Sequence, residues 1–441
     1  MISKYAKKIK LKSDLYAVFN SYVIEPIFLN KENSQKLLNG DLSSFTEDDI
    51  TYLKEIGIII TDETIDKLIV QTVLDAYKNN LENKITIMYI IPTNVCNLQC
   101  KYCFIGKLNE KRENLDINTA KHAIDLFAIH LKKINEIGEI FFYGAEPLMN
   151  FELIKEIVTY SKEKKYNIKF SMVSNGLLIT NDIADFIKNN NISIGISIDG
   201  PKKITDKNRI FKNTDRGVYD NLIEKIMFLK KKGVDFGLSI TIAPSFLDSQ
   251  EEFIEWLKKV DVKNISYNLL HFTYKNEEWK EYYKKAVKFL YKSNNELFRL
   301  GFNEDRINRK YNSFYNKQFK FSDCGAVGAN QITICTDGSL EICHGYWNNK
   351  EHKLPNINDL HDLDELFDNN YYNEWKTYLP MFNKKCLNCP YIYICGGGCA
   401  MQSRDVFGNE KEIDRAFCIY TKELMKKILL EIYEDSISEN K

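Results

Sequence analysis

A chain of 441 residues, 44% hydrophobic and 28% charged, is long enough for two or three domains with ordinary globular cores. Its 61 Lys plus Arg balance 61 Asp plus Glu, so charge gives no argument for nucleic acid or a membrane surface as partner. No apolar run approaches the roughly 18 residues of a membrane span, and Met1-Ile2-Ser3-Lys4 leads into charge without a signal-peptide core. A cytoplasmic location is therefore expected, with no membrane and no nucleic acid. In that reducing compartment 11 cysteines read as metal ligands before disulfides.

Along the chain, Lys4 to Lys12 reads as a solvated basic face. Tyr16–Ser21 and Tyr22–Leu29 read as short strands, Asn30–Leu38 and Thr46–Glu55 as helices, and Ile56–Thr61 as a further strand. The order over residues 1–80 resembles a winged helix, with Asp66–Asn80 a helical connector; the plainer reading is a cap on the next domain.

From Ile85 a regular alternation begins. Expected strands are Ile85–Ile91, closed by Pro92, then Glu139–Tyr143, Ile168–Ser174, Ile192–Ile198, Phe236–Ile242 and Ile265–Leu270. Expected helices between and after them are Asn118–Lys133, Phe151–Lys164, Asn181–Asn190, Tyr219–Lys232, Ser249–Lys259 and Glu277–Leu300. Six strand–helix units imply a parallel sheet with right-handed crossovers. They are too few for an eight-stranded barrel, so the fold class is α/β, a partial (β/α)6 barrel over residues 84–300. Chemistry in such barrels sits at the C-terminal strand ends. Residues 301–321 are polar, with little periodicity, and read as a bridge. All cysteines but three lie beyond it, in a cysteine-rich domain over residues 322–430.

Cys96, Cys100 and Cys103 stand in Thr93-Asn-Val-Cys-Asn-Leu-Gln-Cys-Lys-Tyr-Cys-Phe104, directly after the first strand. Three thiolates on one loop can hold three irons of a four-iron cluster and leave the fourth iron open. A zinc site needs a fourth protein ligand, and His122, inside an expected helix, is a poor candidate. This motif, with the aromatic Tyr102 before its last cysteine, resembles the radical S-adenosylmethionine (SAM) superfamily. Gly144-Ala145-Glu146-Pro147 resembles that family's Gly-Gly-Glu-Pro motif, with Ala145 as the departure. The resemblance implies that Glu146 meets the methionine amine, a carboxylate against a cation. Ser174-Asn175-Gly176, then Ser197-Ile198-Asp199, Asp206 and Arg209, follow at the next two strand ends. It implies that these groups hold the ribose and carboxylate. The implied chemistry is one-electron cleavage of S-adenosylmethionine to a 5′-deoxyadenosyl radical that takes hydrogen from a substrate.

Cys324, Cys343, Cys386-x2-Cys389-x5-Cys395-x3-Cys399 and Cys418 resemble the SPASM auxiliary-cluster domain. That resemblance implies one [4Fe-4S] cluster on Cys324, Cys343 and Cys399 and another on Cys386, Cys389, Cys395 and Cys418, three clusters in all. A zinc ribbon on Cys386 and Cys389 would strand other cysteines. Cys335 either supplies the fourth ligand of the three-cysteine cluster or leaves an iron open. His344, after Cys343, is a candidate catalytic residue or a hydrogen-bonding neighbour of the cluster. Among SPASM families the thioether-forming maturases of ribosomal peptides are the most similar. The implied partners are a precursor peptide with a leader, gripped by residues 1–80, and an electron donor such as flavodoxin or ferredoxin. A sulfatase-type maturase oxidising Ser or Cys, a carbon–carbon crosslinking maturase, and a non-catalytic metal scaffold are the alternatives.

Overall fold

The computed structural model describes residues 1–103, 112–271, 278–348 and 352–439; Phe104 and Glu277 lie outside them. The basic N-terminus proves to be a strand. β1 (Ala6–Lys12) runs antiparallel to β2 (Leu15–Asn20), which pairs with β3 (Ile27–Leu29). Period-two alternation shows over its second half: Ile9 is buried and Leu11 half-buried while Lys8, Lys10 and Lys12 face water. Helices α1 (Lys31–Leu38), α2 (Glu47–Glu55) and α3 (Glu63–Leu81) follow, capped by Asn30, Thr46 and Asp62. The expected strand at Ile56–Thr61 does not form. Ile59 makes one bridge to Ile2, and Ile56, Ile58 and Ile59 fill a small core with Ala6, Val18, Leu37 and Leu53. The other face of β2 serves a different neighbour. Phe19 packs on Phe314 and Tyr391, and Tyr22 on Tyr393, so the N-terminal unit docks on the cysteine-rich end.

The central alternation forms much as its periodicity predicts. In chain order come β4 (Ile87–Ile90), α4 (Ile117–Ile134), β5 (Gly138–Phe142), α5 (Phe151–Glu163), β6 (Ile168–Ser174), α6 (Asn181–Asn189) and β7 (Ser193–Ile198). Then follow α7 (Lys202–Asn208), α8 (Tyr219–Lys232), β8 (Phe236–Ile242), α9 (Gln250–Val260), β9 (Asn264–Leu269) and α10 (Glu278–Phe298). β4 to β9 are parallel and adjacent in sequence order. Met88, Ile140, Phe142, Ile194, Ile196, Leu238 and Ile240 are buried on one face. Their alternates Tyr89, Phe141, Val173, Ser197, Ser239 and Thr241 line a cavity on the other.

Two extensions of this sheet escape the sequence pattern. The bridge holds β10 (Asn303–Glu304), parallel to β9, and the helix α11 (Asp305–Tyr315). Glu304 caps α11, its carboxylate accepting from the backbone N–H of Arg306 (3.1 Å) and Ile307 (2.7 Å). The helix hides from a periodicity reading because its buried positions include Lys310 and Ser313 beside Ile307 and Phe314. At the other edge β11 (Gln331–Ile334) pairs parallel to β4 and carries β12 (Leu340–Glu341) antiparallel. The sheet is thus nine-stranded, in the order β10-β9-β8-β7-β6-β5-β4-β11-β12. Short helices α12 (Asn370–Lys376), α13 (Ile392–Cys395) and α14 (Ala400–Phe407) follow, and α15 (Arg415–Glu439) packs along α10. Among the described residues no helix is long and apolar enough to cross a membrane.

Candidate functional site

The loop after β4 carries Cys96, Cys100 and Cys103, all lining a cavity of ≈ 1340 Å³ at the C-terminal strand ends. The loop is braced from the end of α7 and the residues just after it: Gln99 N–H donates to Ile210 O and Lys101 N–H to Asn208 O, each at 2.9 Å. Burial pushes the Cys96 thiol up to about 12 and raises Cys100, which Arg209 partly offsets. Such thiols become thiolates at neutral pH only on a strongly cationic partner such as iron. His122 plays no part here; its Nε2 lies 3.0 Å from Leu360 O.

Gly144, Ala145 and Glu146 follow β5 and line the same cavity. Gly144 has φ +116°, and a Cβ there would lie 2.8 Å from Ile91 Cγ2, so the turn requires glycine. Ala145 beside it is half-buried at the cavity wall. Pro147 is buried at the start of a 3-10 turn and does not reach the cavity. Glu146 is 2% exposed. Its carboxylate accepts from Ser174 Oγ (2.7 Å), Asn175 N–H (2.8 Å) and Leu148 N–H (3.1 Å). Burial still leaves it above the ordinary carboxylate range, and no Lys or Arg among the described residues lies within ion-pair distance. An incoming ammonium would complete it. Ser174, Asn175 and Ser197 line the cavity, and Asn175 Nδ2 donates to Asn97 Oδ1 at 2.7 Å. We expect Glu146→Gln to weaken S-adenosylmethionine binding by about 1.5–3 kcal/mol, measured by calorimetry on the loaded protein. The amide cannot accept from all three donors, so one N–H would face its NH₂. An unchanged affinity would remove Glu146 from the amine-binding role.

Asp199 turns away from the cavity. It is fully buried, and both carboxylate oxygens are engaged by the Tyr102 hydroxyl (2.6 and 2.7 Å), one also by Arg209 Nε (3.0 Å). Asp199, expected at the cofactor, here holds Tyr102 and Arg209 in place. Arg209 does line the cavity, with Nη1 4.0 Å from Cys100 Sγ. Burial works against its charge, yet Asp199 and Tyr102 hold the guanidinium above its ordinary value. Asp206 stands outside the site, accepting from Tyr219 N–H at 2.8 Å and pairing with Lys202 at 3.0 Å. The Tyr102 hydroxyl is a participant that sequence reading took only as an aromatic.

The later cysteines, Cys335 apart, line two cavities. Cys324, Cys343 and Cys399 line the large cavity; Cys386, Cys389, Cys395 and Cys418 rim a second, smaller one, which Cys399 also touches. Burial pushes Cys343 and Cys395 up to about 12 and Cys386 up to about 11. Asp414 lies between the two cavities and fixes Cys399, accepting its N–H at 3.1 Å. Cys335 lines neither cavity. It follows β11 and is buried with Ile91 and Trp347 against Tyr143, so it stands apart from Cys324, Cys343 and Cys399.

His344 lines the large cavity beside Cys343. Its ring stacks on Tyr89 at 4.3 Å and meets Tyr143 edge-on at 4.7 Å. Nδ1 is buried without a hydrogen-bond partner, and burial lowers the imidazole to about 4, so it is neutral at physiological pH. Tyr143, read from the sequence only as the end of a strand, sits between the cysteine groups: burial, then Cys103 and Cys343, push its hydroxyl up to about 12. The available signal was its place at the C-terminal end of an expected strand.

Among the described residues no three His, Cys, Asp or Glu converge on a point suited to one metal ion. The cysteines instead rim cavities, as a larger group requires. Residues 90–257 match the Radical SAM superfamily profile. The chain is 23% identical to the radical SAM cyclopropyl synthase TigE of Paramaledivibacter caminithermalis, over 97% of this chain and 95% of that one. It is 26% identical to the cysteine-type anaerobic sulfatase-maturating enzyme of Clostridium novyi, over 75% of this chain and 92% of that one. A 38% identical stretch in the uncharacterized protein MJ0907 of Methanocaldococcus jannaschii covers 40% of this chain and 60% of that relative, less than two thirds of it. Streptococcus suis SuiB bound to precursor peptide SuiA has the same fold, with TM-score 0.56 at 15% identity, covering 95% of this chain and 99% of that one. Native anSMEcpe with bound AdoMet and Kp18Cys peptide gives TM-score 0.67 at 21% identity, over 80% of this chain and 99% of that one.

Proposed function

We propose that the chain, whose residues 90–257 match the Radical SAM superfamily, is a radical SAM enzyme that matures a ribosomally made precursor peptide by forming a thioether between a substrate cysteine and a carbon of the same peptide. S-adenosylmethionine at a reduced [4Fe-4S] cluster supplies the power to abstract hydrogen. Cys96, Cys100 and Cys103 would hold that cluster. Glu146 would take the cofactor amine, with Gly144, Ala145, Ser174, Asn175, Ser197 and Arg209 around it. Cys324, Cys343 and Cys399, and separately Cys386, Cys389, Cys395 and Cys418, would hold two further [4Fe-4S] clusters. The names of the relatives support a peptide substrate: one matures sulfatases, and SuiB was solved with its precursor peptide.

One observation carries the thioether. Cys96, Cys100 and Cys103 line the same cavity as Cys324, Cys343 and Cys399, and Cys335 is elsewhere. A three-cysteine cluster leaves an iron for which a substrate thiolate is the natural soft ligand. Thiol and radical carbon would then share one enclosed space, and such orientation removes several kcal/mol from a barrier. The balance closes with S-adenosylmethionine as the two-electron oxidant: S-adenosylmethionine, a C–H and an S–H give methionine, 5′-deoxyadenosine, C–S and a proton. The electron taken from a flavodoxin- or ferredoxin-type donor is returned. Residues 1–80, the winged-helix-like unit, would receive the leader, which can add as a strand to an outer edge of the small sheet.

The test is mass spectrometry of peptide reacted with the reduced, cluster-loaded enzyme. We expect a loss of two hydrogens and a cysteine that no longer alkylates. The same mass loss with a free thiol would mean a carbon–carbon crosslink or oxidation of a serine side chain.

A further inference from the structure

Lys310 is a buried lysine that the reaction as described does not use. It projects from α11, its side chain 1% exposed. An ammonium has three N–H bonds, and here each meets an acceptor: Asp323 Oδ1 at 3.0 Å, Ile394 O at 3.1 Å and Cys395 O at 2.7 Å. All three partners only accept, so the group is charged. The fourth contact is the Phe417 ring, 5.7 Å away. These partners have a common feature. Asp323 precedes Cys324, Cys395 is itself one of the four cysteines of the smaller cavity, and Phe417 precedes Cys418. One ammonium is therefore held against both cysteine groups, with Arg309 also 3.9 Å from Asp323.

We propose that Lys310 is a positioning residue shared by the two auxiliary clusters, tying their loops together and raising the reduction potential of both. This rests on the reading that the seven cysteines hold two clusters. Reduction adds a negative charge to a cluster, and a fixed cation nearby favours the reduced form, most strongly where water is excluded. The charge would thus help the clusters accept the electron released when the new bond closes. The tie joins the irregular segment at Asp323 to the C-terminal end of α13, so it has structural value as well.

The experiment compares the loaded wild type with Lys310→Met, which keeps the chain length and removes the charge. Iron analysis comes first: about twelve irons per wild-type chain, four per cluster, tests the underlying reading independently. Potentials are then read by a redox titration followed by electron paramagnetic resonance. Lys310→Met is expected to shift both auxiliary clusters to lower potential and leave the S-adenosylmethionine-binding cluster unmoved. If Lys310→Met does not load, Asp323→Asn carries the test, since it keeps the ammonium and removes its counter-charge; both potentials should then rise. Loaded protein with unmoved potentials in either variant overturns the proposal. So does loss of loading in both, which would leave the pair a structural tie alone.

Discussion

Replacing Cys96, Cys100 and Cys103 together by Ala should leave about eight irons per chain in place of about twelve and end reductive cleavage of S-adenosylmethionine. The three side chains come from one short loop after β4 and share one cavity with Glu146 and Arg209. The seven cysteines proposed for the other two clusters lie more than two hundred residues later, held by their own contacts: Asp414 on Cys399, Lys310 on Cys395. Selective loss is therefore the expected pattern. Iron and sulfide analysis with a chromatographic assay for 5′-deoxyadenosine reads both halves. Retained cleavage in the triple variant would sink the assignment of the radical centre, and with it the proposed reaction.

Asp199→Asn should cost about 3–5 kcal/mol of stability, because it leaves the Arg209 guanidinium buried without its counter-charge. Both side chains are nearly inaccessible, 0% for Asp199 and 8% for Arg209, so water cannot take the carboxylate's place. The amide keeps the shape but offers a single oxygen where the Tyr102 hydroxyl and Arg209 Nε now share a carboxylate. The equilibrium between folded and unfolded protein would move by hundreds- to thousands-fold. Denaturant unfolding of the variant beside the wild type measures it, and Tyr102→Phe, which keeps the ion pair, should lose much less. A cost under about 1 kcal/mol for Asp199→Asn would mean that the pair is screened and the buried geometry is wrong.

Much of the barrel was legible because its strands have period-two alternation and end at Pro, Gly or Ser-Asn-Gly. The cysteine groupings came from spacing matched to a known pattern. What stayed hidden has several physical causes, polar residues used as core among them. β1 looked like a solvated run because its lysines alternate with only Ala6, Ile9 and Leu11. α11 looked like a linker because Lys310 occupies a buried position that a pattern search scores as surface. Asp199 sat in a motif at a strand end, and only the packing shows its carboxylate turned toward Tyr102 and Arg209. Cys335 was ambiguous on spacing, since β11 ends one residue before it and its neighbours Ile91 and Trp347 come from distant parts of the chain.

The joining of β11 to β4 has a mechanical meaning. Four consecutive residues of the cysteine-rich segment, Gln331 to Ile334, lie in register with Ile87 to Ile90, the strand that launches the first cysteine loop. The two halves are laced by main-chain hydrogen bonds and not merely tethered by a hinge, so they cannot swing apart to admit substrate. Entry must come through the rim of the cavity. A hybrid that grafts another auxiliary module at residue 321 would have to supply a strand of matching length and register, or leave the edge of β4 bare.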